Sequence, residues 1–207
     1  MRPPAFAIRL AGAAALAAAL LPGAAAAEDV TEPRTGVRFA TSDDGMTLLG
    51  TGVRTRTMLK VKVYAVGLYV ADEALRGPLA AFKGRTSSAE FYNQLVWGDF
   101  RRQVTMKFTR DVTRDQIQGA FRESLGSANR ARLDAFLGYF NDTKSGQEYV
   151  LRWVPGTGLE TTVAGQKKPA INDKEFAAAV FGIWLGPRAI QEDIKRGLVS
   201  RAASAMP

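Results

Sequence analysis

Two stretches carry the residues best suited to chemistry, Leu49-Gly50-Thr51-Gly52-Val53-Arg54 and Lys62-Val63-Tyr64-Ala65-Val66-Gly67-Leu68-Tyr69-Val70. The first ends on an arginine set beside small residues. The second has a strand pattern that becomes apolar on both faces and carries tyrosine. A guanidinium grips a carboxylate or phenolate through paired, charge-assisted hydrogen bonds, and a phenol adds another donor. Together they suit a pocket for an acidic, hydrophobic small molecule. An exposed edge-strand arginine would have the same local spacing, because most surface arginines hold no ligand. Spacing alone leaves both readings open.

Composition narrows the chemistry further. The 207 residues include no histidine and no cysteine, which excludes Ser-His-Asp and Cys-His catalysis, the usual zinc and iron-sulfur sites, and disulfides. No metal or cofactor is implied. Gly50-Thr51-Gly52 runs on into Val53 and Arg54 as a strand, without the helix start that a phosphate-cradling loop needs. A bulge or a close strand contact is the expectation there. Asp111, Asp115 and Glu123 lie just before or within a predicted helix and read as a solvated face or as partners of its dipole.

The elements that position these residues follow from periodicity and turn chemistry. Val37–Ala40 and Met46–Val53 read as strands around the turn cluster Ser42-Asp43-Asp44-Gly45. Leu59–Val70 reads as a strand that starts half exposed and ends buried. Ala74–Phe82 and Ser88–Trp97 are expected as short helices, and Arg101–Phe108 as a strand with Gln103, Thr105 and Lys107 on a wet face. Thr113-Arg114-Asp115-Gln116 is a capping box, so a helix runs from Thr113 toward Gly126 with Ile117, Ala120, Phe121 and Leu125 as its apolar stripe. A further helix spans Ala128–Phe140. Gln147–Val154 and Leu159–Val163 form a hairpin over Pro155-Gly156-Thr157-Gly158. Asn172-Asp173-Lys174-Glu175 opens an amphipathic helix through Phe176, Val180 and Trp184, which Gly186-Pro187 ends, and Arg188–Val199 makes a last helix. This order predicts an α+β layer structure.

The N-terminus reads as a secretory signal. Met1–Arg9 holds Arg2 and Arg9 with no acid, Leu10–Leu21 is apolar, and Ala24–Ala27 supplies small residues for cleavage after Ala27. About a dozen apolar residues are too few to span a membrane, which needs roughly 20. The alanine-rich composition is of the bacterial kind, so the expected compartment is the periplasm. Removing Arg2 and Arg9 takes the formal charge from +8 to +6. Basic residues are scattered among acids rather than massed, which argues against nucleic acid. A solvated basic surface, with possible peripheral contact to anionic membrane, fits better. The expected divisions are a signal over 1–27, a leader and first turn over 28–44, the main domain over 45–200 and a tail over 201–207.

The two opening stretches resemble the chalcone isomerase-like family, specifically its bacterial exported members. So do Phe121-Arg122-Glu123, Phe176-Ala177-Ala178-Ala179-Val180-Phe181-Gly182-Ile183-Trp184-Leu185-Gly186 and Asp193-Ile194-Lys195-Arg196-Gly197-Leu198. The resemblance spans roughly Gly45 to Val199. It implies the chalcone isomerase fold, an antiparallel sheet with helices layered on one face and a ligand cleft between them. In the plant isomerases of this resemblance an arginine, a threonine, a tyrosine and an asparagine stabilise a phenolate and an enolate. These positions fall on Arg54, Tyr64 and near Ile117 and Ser124, so the arginine is kept, Tyr64 stands at the threonine's place, and the tyrosine and asparagine, half of the constellation, are absent. Fatty-acid-binding members hold a carboxylate with arginine and tyrosine at the first two positions, which Arg54 and Tyr64 match.

The resemblance therefore implies a non-catalytic binder of a fatty acid or other hydrophobic carboxylate. Arg54 and Tyr64 would be its anchors, Arg56 a competing anchor and Ser124 a polar neighbour, with Ile117, Phe121, Val180 and Trp184 as lining. An intramolecular lyase acting on a chalcone-like phenol is one alternative, and an interaction protein whose cleft is filled by side chains is another. Ten residues of straight strand would set Arg54 and Tyr64 roughly 33 Å apart, so the chain must fold back or bulge near Thr57 to Leu59. Oligomeric state is not legible in the sequence.

Overall fold

The computed structural model describes residues 28–56, 59–126 and 130–207. The expected signal, Met1–Ala27, and the first residues of the helix expected from Ala128 lie outside the described residues.

A short ribbon comes first, β1 (Asp29–Thr31) paired antiparallel with β2 (Arg38–Ala40). Part of the leader and first turn expected over 28–44 is this paired ribbon. The Glu32 carboxylate is buried and accepts from the backbone N–H groups of Arg34 and Thr35 and from the Thr35 hydroxyl, which closes the turn between the strands. The main sheet follows, with β3 (Ser42–Asp43), β4 (Met46–Arg56) and β5 (Val61–Ala71). Its remaining strands are β6 (Arg102–Phe108), β7 (Glu148–Val154), β8 (Gly158–Val163) and β9 (Gln166–Ile171). All seven strands lie in sequence order and every pairing is antiparallel.

The helices are α1 (Asp72–Arg76), α2 (Ala89–Trp97), α3 (Arg114–Leu125), α4 (Arg130–Leu137), α5 (Lys174–Leu185), α6 (Glu192–Gly197) and α7 (Ala202–Ala205). Thr113 caps α3 in a complete capping box with Gln116, and Asp173 caps α5 by accepting from the Phe176 N–H. The single helix expected over Ala74–Phe82 is instead α1 and a 3-10 turn over Ala80–Phe82, parted at Gly77-Pro78 because proline cannot continue a hydrogen-bonded turn. The helix expected over Arg188–Val199 starts only at Glu192. The tail is also ordered by packing, with Ala202 and Met206 buried.

Alternation sorts the sheet into two faces. Tyr64, Met106 and Phe108 face the helices. Gly67 faces the ribbon, where a side chain would collide with the Phe39 ring at 2.8 Å. This ribbon corrects the expectation of a wet face on β6. Gln103 and Thr105 are buried, with Gln103 bonded to Asp43 and to Arg152, and Lys107 reaches the Arg38 carbonyl.

On the helix side, Arg102 is fully buried and donates to the carbonyls of Val96 at 2.6 Å and Gly98 at 2.7 Å, at the C-terminal end of α2. Its guanidinium sits 4.6 Å over the Phe181 ring. Burial disfavours its charged form and lowers its pKa to about 9.

Gly50 and Gly52 explain how α6 reaches the sheet. A Cβ on Gly50 would lie 2.1 Å from the Gly197 carbonyl oxygen, and one on Gly52 would lie 3.1 Å from Ile194 Cα. Backbone meets backbone there, and β4 also bulges between Leu48 and Gly50. Of the bulge or close strand contact expected of Gly50-Thr51-Gly52, the bulge is present beside Gly50, and the close contact is with α6 rather than with another strand.

Candidate functional site

The β4–β5 hairpin folds back on itself and makes Arg54 and Tyr64 direct cross-strand partners. Directly opposed residues have Cβ atoms about 5 Å apart, which resolves the separation that a straight strand would impose. A register shift beside this pair leaves Val63 as the extra residue, and Gln191 accepts the Thr55 N–H at 2.8 Å.

A cavity of about 470 Å³ opens between the hairpin, β6, α3 and α5. Met106, Phe108 and Val63 supply walls from the sheet, while Ile117, Phe121, Ile183 and Trp184 supply them from the helices. The alternative of a cleft filled by side chains therefore gives way to an open one beside Arg54. Its charged lining consists of three arginines, Arg54, Arg56 and Arg110, and the described lining contains no carboxylate. None of the three forms an ion pair among the described residues.

Arg54 and Tyr64 are each held by a neutral neighbour. Arg54 Nη1 donates to Gln191 Oε1 at 2.8 Å. Gln191 Nε2 in turn donates to the Thr55 hydroxyl and to Asp193. The arginine is thus steered by a neutral amide that leaves its charge uncompensated. Trp184 Nε1 donates to the Tyr64 hydroxyl at 3.1 Å. Indole nitrogen can only donate, so the tyrosine oxygen accepts here and its own proton is free for another partner. Burial pushes the Tyr64 phenol up to about 12, against the weaker lowering effects of the Trp184 bond and the Arg54 charge. At neutral pH it is a protonated donor.

The structure brings Arg54, Arg56, Tyr64, Ile117, Phe121, Ser124 and Trp184 to one cavity. Arg56 and Ser124 are exposed at its rim, whereas Ile117 and Phe121 are buried walls. Val180 does not join them, because it is fully buried in the core one helical turn before Trp184. Sequence reasoning missed Arg110, which follows Phe108 by two residues where β6 ends. It also missed Gln191, whose side chain is free to reach Arg54 because α6 begins after it. The polar use of Trp184 had no local signal, since its partner lies 120 residues away.

The arrangement can hold an anionic head against Arg54 and Tyr64 while an apolar body lies between sheet and helices. The sequence profile described as chalcone isomerase-like matches residues 27–200. Among curated proteins, the chain is 28% identical over 175 residues to chalcone isomerase-like protein 1 of Humulus lupulus, covering 75% of this chain and 81% of that protein. It is 28% identical over 188 residues to a chalcone–flavanone isomerase of Clitoria ternatea, covering 80% and 85%. Among solved structures, a fatty-acid binding protein of Arabidopsis thaliana superposes with a TM-score of 0.75 at 20% identity, covering 86% of this chain and 98% of that one.

Proposed function

We propose that this chain, which belongs to the chalcone isomerase-like family, is an exported, non-catalytic binder of a fatty acid or similar hydrophobic carboxylate. One observation carries the reading: an apolar cavity whose lining charges are all arginine, beside a tyrosine whose hydroxyl proton is left free by Trp184. Uncompensated guanidinium groups next to buried apolar walls favour an amphiphilic anion over a neutral molecule. The shared fold of the Arabidopsis fatty-acid binding protein supports the same class of ligand. Export rests on the composition of Met1–Ala27, and N-terminal sequencing of the purified protein should begin at Glu28.

A second reading, an isomerase acting on a chalcone-like phenol, is favoured by the names of the curated relatives. Against it, Ile117 stands where the resemblance places a tyrosine, and the described lining offers no carboxylate or histidine to move a proton. Lipids extracted from natively purified protein, identified by mass spectrometry, and chalcone turnover measured on the same sample separate the two. Co-purified long-chain acid with no turnover above the spontaneous rate supports the binder. Turnover without bound acid supports the isomerase.

A further inference from the structure

We infer that the tip of the β4–β5 hairpin docks this protein on an anionic lipid surface, with the mouth of the cavity facing the lipid. Leu59 stands at the tip and is 87% exposed, far more than Trp97 at 47%, the other exposed large hydrophobic residue among those described. A single exposed leucine is ordinary. Its surroundings are not.

From Gly45 to Ala71 the chain holds no acidic residue, while the arms of the hairpin carry Arg54, Arg56, Lys60 and Lys62. Arg56, Lys60, Lys62 and neighbouring Arg110 are exposed, and none has a carboxylate partner among the described residues. Lys62 instead donates to the Arg34 carbonyl. Some cations elsewhere are matched, as in Arg101 and Arg152 with Asp44 and in Lys107 with Glu148, and others such as Arg76 are not. The tip is set apart by unpaired cations gathered around an exposed leucine on a stretch without acids. Asp43, Asp44 and Glu73 lie at the far end of the same hairpin, beyond Met46 and Ala71. Eleven residues of strand separate the two ends by roughly 35 Å, several Debye lengths at physiological salt. Nearer the tip, Asp111 is held by Lys144, and Asp193 by Arg34 and Gln191. Asp115 lies exposed in the first turn of α3.

An apolar apex ringed by unpaired cations fits a lipid surface, where the leucine enters the acyl boundary and the cations meet headgroup anions. Nucleic acid would use the charges and leave the leucine in water. Arg56, Val61 and Arg110 also line the cavity, so docking would bring its mouth to the membrane, the source of a water-insoluble ligand.

Vesicle flotation of the purified full chain tests this, with phosphatidylcholine vesicles made with and without phosphatidylglycerol. Every variant keeps the same N-terminus, so differences between them report the tip. The parent should bind the anionic vesicles only and release them in about 1 M salt. Leu59→Ser should weaken partitioning about tenfold. The double variant Lys60→Asn, Lys62→Gln should weaken it about 25-fold, at about fivefold per cation. Asparagine is chosen because Lys60 has φ of 50°, which asparagine tolerates. Arg76→Ala, at the opposite end of β5, should bind as the parent does. Because Leu59, Lys60 and Lys62 do not line the cavity, the tip variants should bind a fluorescent fatty acid normally in vesicle-free solution. This control shows that they fold, and it keeps a failure of docking distinct from a failure of the ligand proposal. Equal binding to the two vesicle types, or tip variants that partition like the parent, would overturn the inference.

Discussion

Replacing Arg54 by methionine removes the charge while keeping much of the side chain's length. Gln191 Oε1 loses the Arg54 bond but keeps the Thr55 N–H at 2.8 Å, so the contact of Gln191 with β4 should survive. Among the described residues only Gln191 takes an Arg54 N–H, which leaves guanidinium donors for a ligand. Hydrogen bonds to charged groups contribute about 1.5–3 kcal/mol each, and Arg56 and Arg110 remain to attract the anion. The net loss should be about 2–3 kcal/mol, or roughly 30- to 150-fold in affinity. The assay is displacement of a fluorescent fatty acid by dodecanoate and, in parallel, by dodecanol. The acid should lose affinity by that factor, and the alcohol should change by less than about twofold. An equal loss for acid and alcohol would refute the reasoning, because Arg54 would then act through the shape of the cleft rather than through charge.

Tyr64 sets a pH dependence of stability. Its folded pKa of about 12 lies above the ordinary value of 10, so its contribution is whole below pH 10 and is lost as pH rises from 10 through 12, where the unfolded phenol ionises first. Tyr64→Phe should remove up to about 3 kcal/mol of that alkaline loss in urea titrations, and an unchanged pH profile would contradict the burial argument. Gly50→Ala should destabilise by about 2 kcal/mol or more through collision with the Gly197 carbonyl. Gly182→Ala, where a Cβ on α5 would meet open space, should stabilise by up to about 1 kcal/mol. Arg102→Ala should cost about 3 kcal/mol or more, because it opens a void and leaves the Val96 and Gly98 carbonyls without their donor. Thermal or urea unfolding checks all three.

The features legible in the sequence are those that depend on neighbours in the chain. The Thr113 capping box, the helix start at Asn172-Asp173-Lys174-Glu175 and the β7–β8 hairpin are each written within a few residues, and the structure has all three, with Asp173 as the cap of the second. The hydrophobic stripe of α3 likewise turns Ile117 and Phe121 toward the cleft. β9 escaped because an edge strand needs no alternation. Its Gln166-Lys167-Lys168 run is polar and Pro169 argues against a strand, yet an edge position tolerates proline. The burial of Gln103 and Thr105 depends on a ribbon some sixty residues earlier in the chain. Arg102 Nη1 and Nη2 donate to carbonyls at the end of another element while its buried Nε has no partner among the described residues, an arrangement that no side-chain pattern announces. In the site itself, Arg54 and Tyr64 stood out as residue types, and the resemblance singled them out as a pair. Their steering by Gln191 and Trp184 exists only after α6 and α5 have packed.

The position of the carboxylate is the central claim, and it can be read from the ligand. A fatty acid labelled with carbon-13 at its carboxyl, bound to the protein and titrated by NMR, reports the ionisation of that group directly. A carboxylate held by Arg54 and the Tyr64 hydroxyl should stay ionised about 1–3 pH units below its free value, and Arg54→Met should return it most of the way. A bound carboxyl that titrates as it does in water, with the same midpoint in Arg54→Met, would contradict the account.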